Sequence, residues 1–135
     1  MKELSLEATV DNIAVATDFV NAELEAIGCP MKTQMQIDVA IDELFSNIAL
    51  YAYAPGSGSA TVRVETEPDP PAAIITFIDQ GIPFDPLSAG TPDVNLPAEE
   101  RDAGGLGVFL VKKIMDETVY AYRDGKNIIR IKKRL

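Results

Sequence analysis

The 135-residue sequence contains no histidine, and that gap closes off a large part of enzyme chemistry. Serine-histidine and cysteine-histidine nucleophile pairs cannot form within the chain, and zinc sites built on imidazole are excluded. Acid-base work therefore falls to carboxylates, lysines or tyrosines. Cysteine is nearly as scarce: the single Cys29 permits neither an internal disulfide nor a thiolate metal site, so a reducing compartment is the simpler expectation. Positive charge is short as well, with 12 Lys plus Arg against 21 Asp plus Glu and a net charge of −9. Half of the basic residues fall in positions 123 to 135, beside one acid. The acidic remainder would repel a phosphodiester backbone, and the basic end reads as a strand through Ile128, Ile129 and Ile131, so no nucleic-acid partner is expected. No run approaches the roughly 20 apolar residues needed to cross a bilayer. The opening Met1-Lys2-Glu3-Leu4-Ser5-Leu6-Glu7 lacks a signal-peptide core, so a soluble, cytoplasmic protein without a membrane partner is expected.

What is present is an ordinary globular composition, 47% apolar and 24% charged, which at this length implies one domain over residues 1–135. Leu4, Leu6 and Ala8 alternate with polar residues as a short strand does. Ile13, Ala16, Val20, Leu24 and Ile27 then follow helical spacing, with Asp11 or Asn12 as N-cap and Gly28 as the stop. A second helix is expected from about Thr33 to Tyr53, ended by Pro55-Gly56-Ser57-Gly58-Ser59. Thr61 to Glu67 alternates with Val62 and Val64 on one face, and Ala73 to Ile78 is a denser run suited to a more central strand. Residues 80 to 103 carry four of the nine prolines and little periodicity; a loop of that length suggests a lid or binding segment. An amphipathic helix opens at Gly104-Gly105-Leu106-Gly107, and two strands follow, joined by the hairpin signal Asp124-Gly125. The order β α α β β α β β predicts an α+β fold, a two-layer α/β sandwich with a mixed, mainly antiparallel sheet and helices on one face.

Three local patterns could carry chemistry. Glu43 and Asn47 lie four apart on the long helix, so one face presents an acceptor-only carboxylate beside an amide oxygen suited to a hard cation. The same pair could equally be a solvated helix face. Asp79-Gln80-Gly81 follows an apolar strand, where a carboxylate could accept a hydrogen bond from an exocyclic amine; a simple Asp-initiated turn is the alternative. Gly104, Gly105 and Gly107 at a helix start could offer bare amides to phosphate oxygens, or serve as a hinge. No Lys-Ser or Lys-Thr follows, so this is not a Walker A loop.

The order and spacing of the three patterns are more specific than any one of them, and here the sequence resembles the GHKL nucleotide-binding superfamily of gyrase, the ninety-kilodalton heat-shock chaperone and histidine kinases. Glu43-x-x-x-Asn47 is similar to its N box, Asp79-x-Gly81 to its first glycine box and Gly104-Gly105-Leu106-Gly107 to its second. Leu-Glu-Ala-Thr near the N-terminus, Asp79-Gln-Gly-Ile-Pro-Phe-Asp85 and Gly104-Gly-Leu-Gly-Val-Phe-Leu-Val-Lys112 resemble the compact bacterial anti-sigma factor serine kinases, over nearly the whole chain. The resemblance implies the GHKL (Bergerat) ATP-binding fold, ATP with Mg2+ as cofactors, and a serine/threonine protein kinase. Its implied partners are an anti-sigma factor antagonist, phosphorylated in partner switching, and a sigma factor. On the same basis Glu43 is the general base, Asn47 the magnesium ligand, Asp79 the reader of the adenine amine and Gly81 the residue beneath the base. Gly104, Gly105 and Gly107 cover the phosphates, and a homodimer through the first strand and helix is implied.

The sequence also departs from the pattern. Tyr51-Ala52-Tyr53 stands where many members carry His-Gly-Tyr, and Pro83 replaces a second glycine after Gly81. Without histidine the chain is not a histidine kinase core carrying its own phosphoacceptor. Two further readings stay open at this stage: a nucleotide-gated module that sequesters a sigma factor or other regulator without phosphotransfer, and an interaction domain that binds no nucleotide.

Overall fold

In the computed structural model, which describes residues 1–88 and 105–135, the elements follow the order read from the sequence. They are β1 (Lys2–Glu7), α1 (Ile13–Ala26), α2 (Met31–Asn47), β2 (Ser59–Pro68), β3 (Pro71–Asp79), α3 (Gly105–Ile114), β4 (Glu117–Arg123) and β5 (Lys126–Arg134). The strands form one sheet in the order β1-β2-β3-β5-β4, and every pairing among the described residues is antiparallel. The expected parallel admixture is absent from this sheet, because each neighbouring pair runs in opposite directions whether joined by a hairpin or by helices.

Strand alternation decides what the sheet buries. Register places Leu4 beside Val62, Phe77 and then Ile129, and Val64 beside Ile75 and then Ile131. Those side chains share the face that packs on the helices, where Val62, Ile75 and Ile131 are fully buried. From the helical layer Ala16, Val20 and Leu24 of α1, Ile37, Ile41, Leu44 and Phe45 of α2, and Val111 of α3 complete one core. Each such large side chain removed from water contributes roughly 1.5–3 kcal/mol before entropy is counted. β3 is buried on both faces, Ile74 and Thr76 included, as its denser apolar run implies.

The helix boundaries show where local chemistry agreed with tertiary demands. Gly28, at φ +72°, ends α1 in the left-handed region that glycine enters without strain, and Pro30 stands at the N-cap of α2. Asn12 occupies the N-cap position of α1, but its side chain does not cap it; Nδ2 donates to the Glu7 carbonyl, 2.7 Å away. A 3-10 turn over Val10–Asn12 feeds directly into the helix, which frees the Asn12 amide to tie the helix entry back to β1. The long second helix keeps its regular form only to Asn47. A wider π-type turn over Ile48–Ala52 follows, a feature often found at functional sites. Asp124 (φ 53°) and Gly125 (φ 74°) form the expected tight β4–β5 turn.

The seam between α1 and α2 carries an imbalance of acceptors. Asn21 Oδ1 and Asp38 Oδ1 are both buried without a hydrogen-bond partner. Burial pushes the Asp38 carboxyl above its ordinary value, the Asn21 hydrogen bond opposes this, and the Asp18 charge adds to the rise. The folded protein therefore holds the Asp38 proton more tightly than the unfolded chain. The stability this supplies is complete below the ordinary carboxylate pKa and is lost as pH rises through the raised folded value. Asp38→Asn supplies donor hydrogens without a charge, so its melting temperature should exceed that of the parent at pH 7. That advantage should vanish below about pH 4 in a thermal-melt series; an advantage unchanged by pH would contradict the assignment.

Candidate functional site

The end of α2 and the end of β3 meet at one place. Glu43 and Asn47, one turn apart on α2, are each partly buried, and among the described residues the Asn47 side chain makes no hydrogen bond. Burial raises the Glu43 carboxyl above the usual range, and the Asp42 charge next to it adds to the effect. The Glu43 carboxylate lies against the backbone of Gly107, in the first turn of α3: a Cβ at 107 would stand 1.9 Å from Oε2. With no side chain at 107 the tip of Glu43 rests directly on the helix backbone, and a Cβ there would make the carboxylate swing aside. α3 begins at Gly105, which places the start of this helix beside Glu43; Gly104 lies outside the described residues.

Past Asn47, the π-type turn presents the Ala52 carbonyl to the loop after β3. Ile82 N–H donates to it at 3.0 Å, and Gly81 packs so closely that a Cβ there would sit 2.2 Å from the same oxygen. Here too glycine serves a close backbone approach. Tyr53, in the sequence stretch that departs from the family pattern, fastens the same junction: its hydroxyl donates to the Ser59 carbonyl at 2.6 Å and accepts from Gln80 N–H at 2.7 Å. Burial raises the Tyr53 pKa, the Gln80 bond lowers it, and the nearby Asp79 charge raises it, so the phenol stays protonated.

Asp79 closes β3 at 5% exposure and accepts from Gly81 N–H at 2.9 Å. Its lateral neighbour on β5 is Asn127, also buried, whose Nδ2 donates to Asp79 Oδ1 at 2.9 Å and to the Ile82 carbonyl at 2.9 Å. Asn127 Oδ1 accepts from Phe84 N–H at 3.2 Å and from the Tyr120 hydroxyl. Further along, Asp85 Oδ1 accepts from Leu87 N–H at 2.8 Å, and Lys112 of α3 donates to the Leu87 carbonyl at 3.2 Å. The stretch expected as the start of a long loop is therefore fastened to β5 and α3 as far as a 3-10 turn at Pro86–Ser88. Residues 89–104, the rest of that stretch, lie outside the described residues.

Of the residues singled out in the sequence, the structure brings Glu43 against Gly107, and Gly81, whose N–H donates to Asp79, against the turn that follows Asn47. Sequence reading missed Tyr53, Tyr120 and Asn127. A signal for Asn127 existed: it shares strand phase with Ile129 and Ile131, so an amide was headed for the buried face. Chemically the arrangement offers a carboxylate with raised basicity, an uncommitted amide oxygen able to ligate a hard cation, and a fixed acceptor at a strand end. Among the described residues no group of three His, Cys, Asp or Glu gathers to hold a metal, and no helix is long and apolar enough to cross a membrane.

Comparison with known proteins matches residues 6–133 to the family model described as the histidine kinase-like ATPase domain. The chain is 25% identical over 134 residues to the serine-protein kinase RsbW of Bacillus cereus strain G9842, covering 96% of this chain and 82% of that protein. It is 23% identical over 134 residues to RsbW of Bacillus mycoides strain KBAB4, with the same coverage. It is also 25% identical over 96 residues to the serine/threonine-protein kinase BtrW of Bordetella bronchiseptica, covering 71% of this chain and 67% of that protein.

Proposed function

Since this chain belongs to the histidine kinase-like ATPase domain family, we propose that it is a magnesium- and ATP-dependent serine/threonine protein kinase whose substrate is a small antagonist protein. In this reading it also binds a sigma factor and releases or captures it by partner switching. The observation that carries the proposal is the Glu43 carboxylate set against Gly107 in the first turn of α3. A base is useless to a module that only binds, and here it stands beside the helix start whose amides suit phosphate oxygens. The names of the kinases RsbW and BtrW agree with the same chemistry.

The division of labour follows from the residues. Glu43, made more basic by burial, takes the proton of the partner's serine or threonine hydroxyl as its oxygen bonds to the terminal phosphorus and the bond from that phosphorus to the β,γ-bridging oxygen breaks, ADP leaving with the electron pair. Asp79 accepts a hydrogen bond from the adenine amine at the far end of the nucleotide, and Gly81 lets the loop after it lie flat on Ala52. Gly105 and Gly107, in the first turn of α3, would offer their amides to the phosphates, and Gly104 is assigned to the same role from the sequence pattern. Phosphoryl transfer of this type asks the protein mainly for positioning and charge stabilisation. The donor set suits magnesium: Asn47, whose side chain has no hydrogen bond among the described residues, would hold the ion through its oxygen, the nucleotide phosphates supplying the rest. Bound there, magnesium would neutralise phosphate charge, which this acidic chain of net −9 does with few cations of its own.

The direct test is to incubate the protein with γ-labelled ATP, Mg2+ and the proteins that copurify with it. Label on a serine or threonine of a copurifying protein is expected; tight ATP binding with no transfer to any of them would leave a nucleotide-gated binding module instead. Asn47→Ala should weaken ATP binding in Mg2+ about tenfold or more while leaving binding in EDTA unchanged, as read by calorimetry. Equal loss in both conditions would remove Asn47 as the metal ligand.

A further inference from the structure

We propose that Asn127 is a positioning residue for nucleobase recognition: its side-chain amide holds Asp79 so that Oδ1 is committed to the protein while Oδ2 is presented to an exocyclic amine. This rests on reading Asp79 as the acceptor for the adenine amine.

The inference starts from an oddity of the core. The row Leu6, Ala60, Asp79, Asn127, Tyr122 crosses the five strands on the helix-facing side. Two polar residues stand side by side at its centre, Asp79 at 5% and Asn127 at 4% exposure. Burying such groups costs free energy unless their hydrogen bonds are made, so the pair needs a reason. Asn127 is saturated. Its NH2 donates to Asp79 Oδ1 and the Ile82 carbonyl, with a longer contact to the Gly81 carbonyl at 3.4 Å, and its oxygen accepts from Phe84 N–H and the Tyr120 hydroxyl. The amide cannot be turned over, because that would aim its oxygen at a carboxylate and a carbonyl and its NH2 at the Phe84 amide hydrogen.

The consequence falls on Asp79. Oδ1 already accepts from Gly81 N–H and from Asn127, both at 2.9 Å. Oδ2 has no hydrogen bond among the described residues, and it is the oxygen left with lone pairs to offer. The same amide fixes the Ile82 carbonyl and the Phe84 N–H, so the loop that follows Asp79 is set by the residue that sets the carboxylate. A purely structural residue here would stabilise the fold without regard to what meets Oδ2. A positioning residue should affect nucleotides carrying the amine more than nucleotides lacking it.

The test compares ATP with purine riboside triphosphate, which lacks the 6-amine, on the full chain. The parent protein should bind ATP the more tightly. Asn127→Ala should weaken ATP about tenfold or more and the amine-free analogue by less than about threefold, compressing the preference. Asn127→Asp, nearly the same shape, keeps both acceptor contacts but sets a second carboxylate against Asp79, and should compress the preference at least as far. Tyr120→Phe leaves the Asn127–Asp79 bond in place and should keep the preference within about twofold. Melting curves identify which variants are folded. Equal weakening of both nucleotides in the folded Asn127 variants, or an undiminished preference for the amine, would overturn the role of Asn127 while leaving ATP binding intact. A parent protein that binds neither nucleotide would overturn the nucleotide reading itself, and the role of Asn127 with it.

Discussion

Replacing Glu43 with glutamine should lower phosphate transfer to the protein substrate by about 10²- to 10⁴-fold, the usual contribution of a positioned general base, with ATP affinity within about twofold of the parent. Glutamine keeps the length and packing of the side chain against Gly107 and removes only the ability to take a proton. The same carboxyl fixes the pH profile. Burial, reinforced by the Asp42 charge, raises its pKa above that of an ordinary glutamate, and a base works only when ionised. Transfer should therefore fall on the acid side at a higher pH than the ordinary value of about 4.3 would give. Asp42→Asn, by removing the like charge, should move that limb toward lower pH. Initial transfer rates from labelled ATP across pH check both statements, and full transfer by the glutamine variant would sink the assignment of Glu43 as base.

Gly81→Ala should abolish measurable ATP binding and lower the melting temperature by roughly 5–10 °C. The added Cβ would lie 2.2 Å from the Ala52 oxygen and 2.6 Å from its carbonyl carbon, both backbone atoms in the turn that ends the Glu43-Asn47 helix. No side-chain rotation relieves that contact, so the loop must lift. Lifting it breaks the bond from Ile82 N–H to the Ala52 oxygen and disturbs the two donors that fix Asp79 Oδ1. Overpacking of this kind costs about 1–3 kcal/mol. Gly28→Ala is the natural control: its φ of +72° imposes backbone strain, but nothing lies within 4 Å of the new Cβ. That variant should lose about 1 kcal/mol of stability and keep its nucleotide. Differential scanning fluorimetry with and without Mg-ATP distinguishes the two. A Gly81→Ala protein still stabilised by nucleotide would show that the Gly81–Ala52 contact does not support the site.

Much of the architecture was legible because period and punctuation agree with the final packing. Alternation in Thr61 to Glu67 matched β2, the denser run ending at Asp79 matched the doubly buried β3, and Asp124-Gly125 made the tight turn its residues favour. The candidate site reads in the sequence as three separated patterns. Their meeting does not: no spacing rule says that Gly81 will touch Ala52 or that Gly107 will touch Glu43. The π-type turn was hidden too, since one widened turn barely disturbs a helical pattern that reads as continuous to Tyr53. Asn12 was recognisable as a cap by type, yet the preceding 3-10 turn diverted its amide to Glu7.

The sequence by itself determined what chemistry is available. Without histidine and with one cysteine, proton transfer is left to carboxylates, lysines or tyrosines, and the alternation and breaks along the chain fix the order of elements. Tertiary structure alone decided which carboxylates, Asp38 and Glu43, are changed by their surroundings and which oxygen of Asp79 has no hydrogen bond among the described residues. Glu43 becomes a stronger base through burial in the folded chain, where Gly107 of α3 lies against it, and Asp79 Oδ1 gains its second donor only when β5 brings Asn127 beside it. Desolvation and hydrogen-bond direction depend on neighbours distant in the chain, and these arise only when the sheet and the helices close on one another.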